Sequence, residues 1–154
     1  MKYSTKVSDA VHILCFIYLN PDMILTSDRI AQSVKTNSSY VRQLMSTLRQ
    51  AGLLRSVTGH PRPELAKAPE EITLLHVYRA VEGHKPLLHL DTHTNPDCGV
   101  GVHVQNALQD YFDRVQEKAE GEMAAITLKD ILNRYQEKLE QAQHPLPPEE
   151  AKEV

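Results

Sequence analysis

Between Asn37 and Gly52 the chain reads NSSYVRQLMSTLRQAG, and spacing sorts its side chains into two sets. Val41, Leu44, Met45 and Leu48 recur at i, i+3, i+4 and i+7, the buried stripe of an α-helix. Ser38, Ser39, Tyr40, Arg42, Gln43, Ser46 and Arg49 make up the other face, which is polar, cationic and rich in hydrogen-bond donors. A helix with such a face is suited to enter a DNA major groove. Cys98 offers a second chemistry. It stands in NPDCGVG just ahead of a helical pattern, where a helix dipole favours thiolate and oxidation to a sulfenic acid or disulfide becomes accessible. Asp97 opposes that effect, and a merely structural cysteine is the competing reading. A third set is His89, His93, Cys98 and His103, enough ligands for a four-coordinate metal site. Their spacing follows no zinc pattern, and a solvated histidine-rich loop accounts for them more simply. No metal is therefore expected. A phosphate-binding glycine loop, HExxH and GxSxG are all absent, so no enzyme is expected.

These groups need elements to hold them. Thr26 to Leu54 reads as a helix-turn-helix: Ser27 and Asp28 open a short helix, Lys35-Thr36-Asn37 interrupts it, and Asn37 or Ser38 caps the polar-faced one. Gly52 then ends that helix. Two short strands, near Leu53 to Val57 and Glu64 to Lys67, would form a wing around a proline-stiffened tip. Arg55, His60, Arg62 and Lys67 lie there within reach of phosphate or the minor groove. An ordinary exposed hairpin would carry the same residues.

Ahead of this unit, Ser4 to Leu19 is apolar on most sides and reads as a largely buried helix, with Cys15 as a small apolar residue within it. After it, Ile72 to Glu82 is a helix closed by Gly83. The stretch 84–101 loses periodicity and reads as a sensing loop. Val102 to Gly121 resumes helical spacing, and Thr127 with Asp130 starts a further helix with a capping box. The two last helices cannot bury both faces on one small domain, so a homodimer is expected, with recognition helices roughly 34 Å apart. The expected divisions are a winged helix-turn-helix domain at 1–83, the loop at 84–101, dimerisation helices at 102–143 and a disordered proline-rich, acidic tail at 144–154.

Charge supports the division. The 154 residues carry a net charge of -3, yet residues 1–67 are basic and the remainder acidic, as suits a DNA-reading head on a separate assembly part. No stretch has the apolar length to span a bilayer, and MKYSTKVSDAVHILCF lacks a signal peptide's cleavage region, so a cytoplasmic location is expected. Two cysteines, neither in a CxxC pair, are too few for a disulfide scaffold.

Taken together, MKYSTK, SSYVRQLMSTLRQAGLLRSV with its following glycine, PEEITLLHVYRAVEG, NPDCGVG and ITLKDIL resemble, in this order, the Rrf-type bacterial winged-helix regulators that include IscR, NsrR and CymR. The resemblance spans about the first 140 residues. It implies a mainly α fold with a small β wing, a long dimerisation helix, double-stranded operator DNA as partner, and repression relieved by a signal. DNA-facing positions carried over by it are Ser38, Ser39, Tyr40, Arg42 and Gln43, with the wing near Gly59 to Arg62. Members that hold an iron-sulfur cluster carry three cysteines before the long helix; this loop has Cys98 alone, so no cofactor is expected. The wing also departs from the family, with His60-Pro61-Arg62-Pro63-Glu64 in place of a glycine run and tyrosine. A regulator answering to a metal or small ligand, and a winged helix that binds protein instead of DNA, remain the alternatives.

Overall fold

The fold is taken from a computed structural model, which describes residues 3–56 and 62–143. The wing tip, His60 included, and the expected tail at 144–154 lie outside the described residues. Helix α1 (Lys6–Leu19) runs through the centre, with Ala10, Ile13, Leu14 and Ile17 buried. Its outer end is less covered than its apolar composition suggests: Tyr18 and Leu19 are exposed. Two shorter helices, α2 (Ser27–Val34) and α3 (Ser38–Gln50), pack on it and on each other.

Local chemistry sets their ends. Thr26, one residue before the expected start, caps α2 by accepting from the Arg29 N–H at 3.3 Å. Asn37 caps α3, its Oδ1 accepting from the Tyr40 N–H at 2.8 Å. Helix α3 stops in a Schellman motif: the Gly52 N–H reaches the Arg49 carbonyl at 3.0 Å and the Leu53 N–H reaches that of Leu48 at 2.9 Å. This closure needs a left-handed residue, and Gly52 has φ +74°. Buried Leu48 and Leu53 add the apolar contact that usually accompanies it.

Strands β1 (Leu54–Ser56) and β2 (Pro63–Leu65) pair antiparallel in the register Leu54↔Leu65, Arg55↔Glu64, Ser56↔Pro63. A 3-10 turn, Pro69–Glu71, leads into α4 (Leu74–Glu82). Thr73 and His76 cap α4 reciprocally, each backbone N–H meeting the other's side chain at 3.1 Å. The long helix α5 (Gly99–Ala125) starts three residues before the expected Val102 and continues past Gly121. Helix α6 (Leu128–Gln143) opens with the expected box, the Thr127 N–H donating to Asp130 at 2.9 Å and the Asp130 N–H to Thr127 at 3.1 Å.

The core gathers from α1, α2, α3, β1 and α4 and is completed by Leu128 and Leu132 of α6, which returns onto the head. Backbone bonds tie this return: Leu128 N–H to the Ile72 carbonyl at 2.7 Å and Leu74 N–H to that of Ile126 at 2.8 Å. Helix α5, by contrast, contributes no buried residue. Among the described residues no helix is long and apolar enough to cross a membrane.

Candidate nucleic-acid interface

Burying Val41, Leu44, Met45 and Leu48 turns the opposite side of α3 outward. Ser39, Arg42, Gln43, Ser46 and Arg49 are all exposed there, at the i, i+3, i+4, i+7, i+10 positions of one stripe. Among the described residues neither Arg42 nor Arg49 is paired with an acid. The stripe presents two guanidinium forks and a carboxamide, the groups that bind guanine and adenine edges bidentately in a major groove.

Two residues expected on that outer face turn inward. Tyr40 is half-buried against the core and its hydroxyl donates to Asp9 Oδ2 of α1 at 2.9 Å. Burial first, then the hydrogen bond to Asp9 and its charge, push the phenol up to about 12. Ser38 is half-buried as well and its hydroxyl donates to Asp28 of α2. Spacing explains the first case: Tyr40 stands four residues before Leu44 and eight before Leu48, so it shares their side of the helix.

At the wing root the basic residues divide. Arg55 faces Glu64 across the two strands and binds its carboxylate at 3.0 Å, so its charge is already matched. Arg62 is half-buried and lines, with Arg49, Thr26, Ser27 and Ser56, an open recess of about 470 Å3 beside α3. Lys67 is exposed beyond β2. Nothing in the residue pattern pointed to Asp9 or Glu64 as partners of interface residues, because both pairings are tertiary.

The expected sensing loop is anchored at its stem. Leu87 N–H donates to Gln116 of α5 at 2.9 Å, Gln116 Nε2 donates to the Tyr78 hydroxyl at 3.3 Å, and that hydroxyl donates to the Lys85 carbonyl. Cys98 is exposed and stands as the residue preceding α5, its side chain making no capping bond. Cys15 is partly buried, and burial pushes its thiol up to about 11, which makes it a poor nucleophile. Among the described residues no three His, Cys, Asp or Glu side chains gather as metal ligands, so His89, His93, Cys98 and His103 do not converge.

With this geometry in view, the comparisons with known proteins agree. Residues 3–134 match the Rrf2 family, described as iron-dependent transcriptional regulators. The chain is 41% identical over 130 residues to YwnA of Bacillus subtilis, which is named as an HTH-type transcriptional regulator, covering 84% of this chain and 96% of that one. The chain belongs to the Rrf2 family. Among solved structures, the Rrf2 fold is shared with a protein named for DNA binding, at TM-score 0.68 and 40% identity over 82% of this chain and 98% of that one. It is shared too with CymR, the global cysteine regulator of B. subtilis, at TM-score 0.63 and 24% identity over 86% and 97% of the two chains. As a member of the Rrf2 family the chain is a helix-turn-helix transcriptional regulator and not an enzyme. The family's description names iron, and this chain's residues do not fit an iron site: its two cysteines lie on α1 and just before α5, and among the described residues no three His, Cys, Asp or Glu side chains gather around either.

Proposed function

We propose that the protein is a cytoplasmic homodimeric repressor that reads operator DNA with Ser39, Arg42, Gln43 and Arg49 of α3. In this reading Arg62 and the wing contact the backbone, and Cys98 is a redox-responsive group. The observation that carries the proposal is the exposed stripe of α3 with its two guanidinium groups, which no acid among the described residues matches. Ser38 and Tyr40 contribute by holding that helix, and Arg55 adds charge only if Glu64 releases it. The wing residue His60 belongs to the same proposal.

The dimer is supported by α5. Its 27 residues span about 40 Å. Val100, Val104, Tyr111 and Val115 recur along it at helical spacing and are exposed, with Val100 at 74% and Tyr111 at 63%. From Val100 to Val115 this apolar stripe runs about 22 Å; it needs a cover, and a second copy supplies an identical one about a two-fold axis. The redox role is supported by exposure of Cys98 at the first turn of the same helix. Thiolate attack on a peroxide O–O bond yields a sulfenic acid and releases hydroxide, adding a polar oxygen where the helix begins.

The test is binding of purified protein to its own promoter DNA, reduced and peroxide-treated, at two salt concentrations. Specific, salt-steep binding that oxidation abolishes is expected. Specific binding indifferent to oxidation removes Cys98 from the mechanism and favours another signal. Absence of specific binding with a promoter-spanning fragment overturns DNA recognition in favour of a protein-binding winged helix.

A further inference from the structure

We infer that Asp9 is the positioning residue of the recognition helix: through the Tyr40 hydroxyl it fixes the rotation of α3 relative to α1, and so the aim of Arg42 and Gln43. The inference rests on the DNA-binding reading above. Asp9 is half-buried on α1, and one of its oxygens, Oδ2, accepts both from the Tyr40 hydroxyl at 2.9 Å and from the Thr5 hydroxyl at 3.0 Å. Thr5 immediately precedes α1, and its carbonyl accepts from the Asp9 N–H at 2.9 Å, so the carboxylate is held from the backbone side as well.

Rotation is the degree of freedom this bond restrains. The buried side chains of α3 are aliphatic or thioether groups, which pack without strong direction, so apolar contact alone tolerates small rolls of a helix. A charge-assisted hydrogen bond has a preferred length and angle, and it sits at the N-terminal turn that leads into the groove. Arg42 and Gln43 follow Tyr40 by two and three residues, within one turn. A roll that breaks the bond to Asp9 therefore swings both side chains off their base edges. The phosphate contacts of long flexible cations are far less sensitive to such a roll.

The experiment uses the full-length chain, a duplex from its own promoter and a scrambled duplex of equal length. Tyr40→Phe, Asp9→Ala, Asp9→Asn and the Tyr40→Phe/Asp9→Ala pair are titrated against both. The first two should each lower promoter affinity about tenfold with scrambled-DNA affinity and salt slope unchanged, as lost base contacts predict. The pair should lose no more than either alone, because both act through one bond. Asp9→Asn keeps an oxygen acceptor and should retain most of the affinity. Wild-type promoter affinity in Tyr40→Phe overturns the inference. Additive losses overturn it too, since they mean that Tyr40 touches DNA directly. Amide exchange of free protein is read in parallel: exchange at Ser39 to Gln43 should quicken in Tyr40→Phe, and unchanged protection there overturns the clasp even if Asp9→Ala proves too unstable to titrate. A wild-type chain without promoter preference instead overturns the regulator reading, and the exchange data still decide whether the bond orders α3.

Discussion

Neutralising Glu64 should strengthen DNA binding by releasing Arg55. The two residues are direct partners in the β1–β2 register and meet at 3.0 Å, with side chains 63% and 43% exposed. An exposed pair of this kind contributes ~0–1 kcal/mol to folding, so Glu64→Gln, which preserves shape, should lower Tm by no more than roughly 2–4 °C. The larger effect falls on association. With Glu64 charged, a phosphate approaching Arg55 must compete for a guanidinium already matched; with glutamine there, one further phosphate can be neutralised. Each phosphate neutralised steepens the slope of log K against log salt by about 0.9, so over a fourfold rise in salt the variant should lose about threefold more affinity than wild type. Fluorescence anisotropy with promoter duplex between about 50 and 200 mM salt reads both affinity and slope. Deleting a negative charge anywhere near DNA helps somewhat, and the double variant Arg55→Gln/Glu64→Gln separates the two causes. A slope in Glu64→Gln equal to wild type, or an equal gain in the double variant, refutes the claim that Arg55 is held in check by this pair.

Other outcomes follow from single contacts. Arg42→Ala should weaken promoter binding by about 1–3 kcal/mol in a gel shift while leaving Tm unchanged, since its side chain is exposed; wild-type binding removes Arg42 from the interface. Asn37→Ala deletes the cap of α3 and should cost ~1 kcal/mol, a fall in Tm of about 2–4 °C by calorimetry. Cys98→Ser should bind the promoter normally yet ignore peroxide, with wild type gaining one oxygen by mass spectrometry; a variant that still responds places sensing elsewhere. Because the folded state holds the Tyr40 proton up to about 12, whereas an unfolded tyrosine releases it near ~10, the stability tied to this proton is intact below the lower value. It is lost as pH rises through the higher one. Denaturant midpoints across that window should fall more steeply in wild type than in Tyr40→Phe, and parallel curves contradict the assignment.

What the residues disclosed and what they hid follow the range of the interactions. The caps at Asn37, Gly52 and Thr127 join groups three to five residues apart, so residue type and spacing contain them in full. The helix-turn-helix was legible for that reason. Residue type alone groups Tyr40 with the polar face, although its spacing from Leu44 and Leu48 places it inward; the partner that satisfies its hydroxyl, Asp9, lies 31 residues away. Arg55 and Glu64 meet only once strand register is set. The start of α5 was placed late because Gly99 and Gly101 disfavour helix interiors. In the structure both belong to the helix, where the Val102 N–H bonds to the Cys98 carbonyl at 3.1 Å. The apolar composition of Ser4 to Leu19 predicts a helix buried on most sides, yet Tyr18 and Leu19 at its C-terminal end are exposed.

The route of the chain also limits where a signal can act. Helix α6 is fastened to the head at its first residues by the Thr73↔Thr127 bridge and by buried Leu128 and Leu132. The C-terminal end of α5 is thereby set against the segment that leads into α4. Midway along α5, Gln116 bonds to Tyr78 of α4 and to the Leu87 backbone, and Arg79 of α4 lies 3.7 Å from Glu120. From Gln116 onward, then, the long helix is tied to the head. Among the described residues its N-terminal half shows no such hydrogen bond or ion pair to the head, and in the proposed dimer that half depends on the partner for cover. In the proposed dimer, a chemical change at Cys98 would act on the part of α5 that faces the second copy. Under that proposal such a change would alter the angle between two heads without disturbing the core of either, and the distance between two recognition helices is what a two-half-site operator reads.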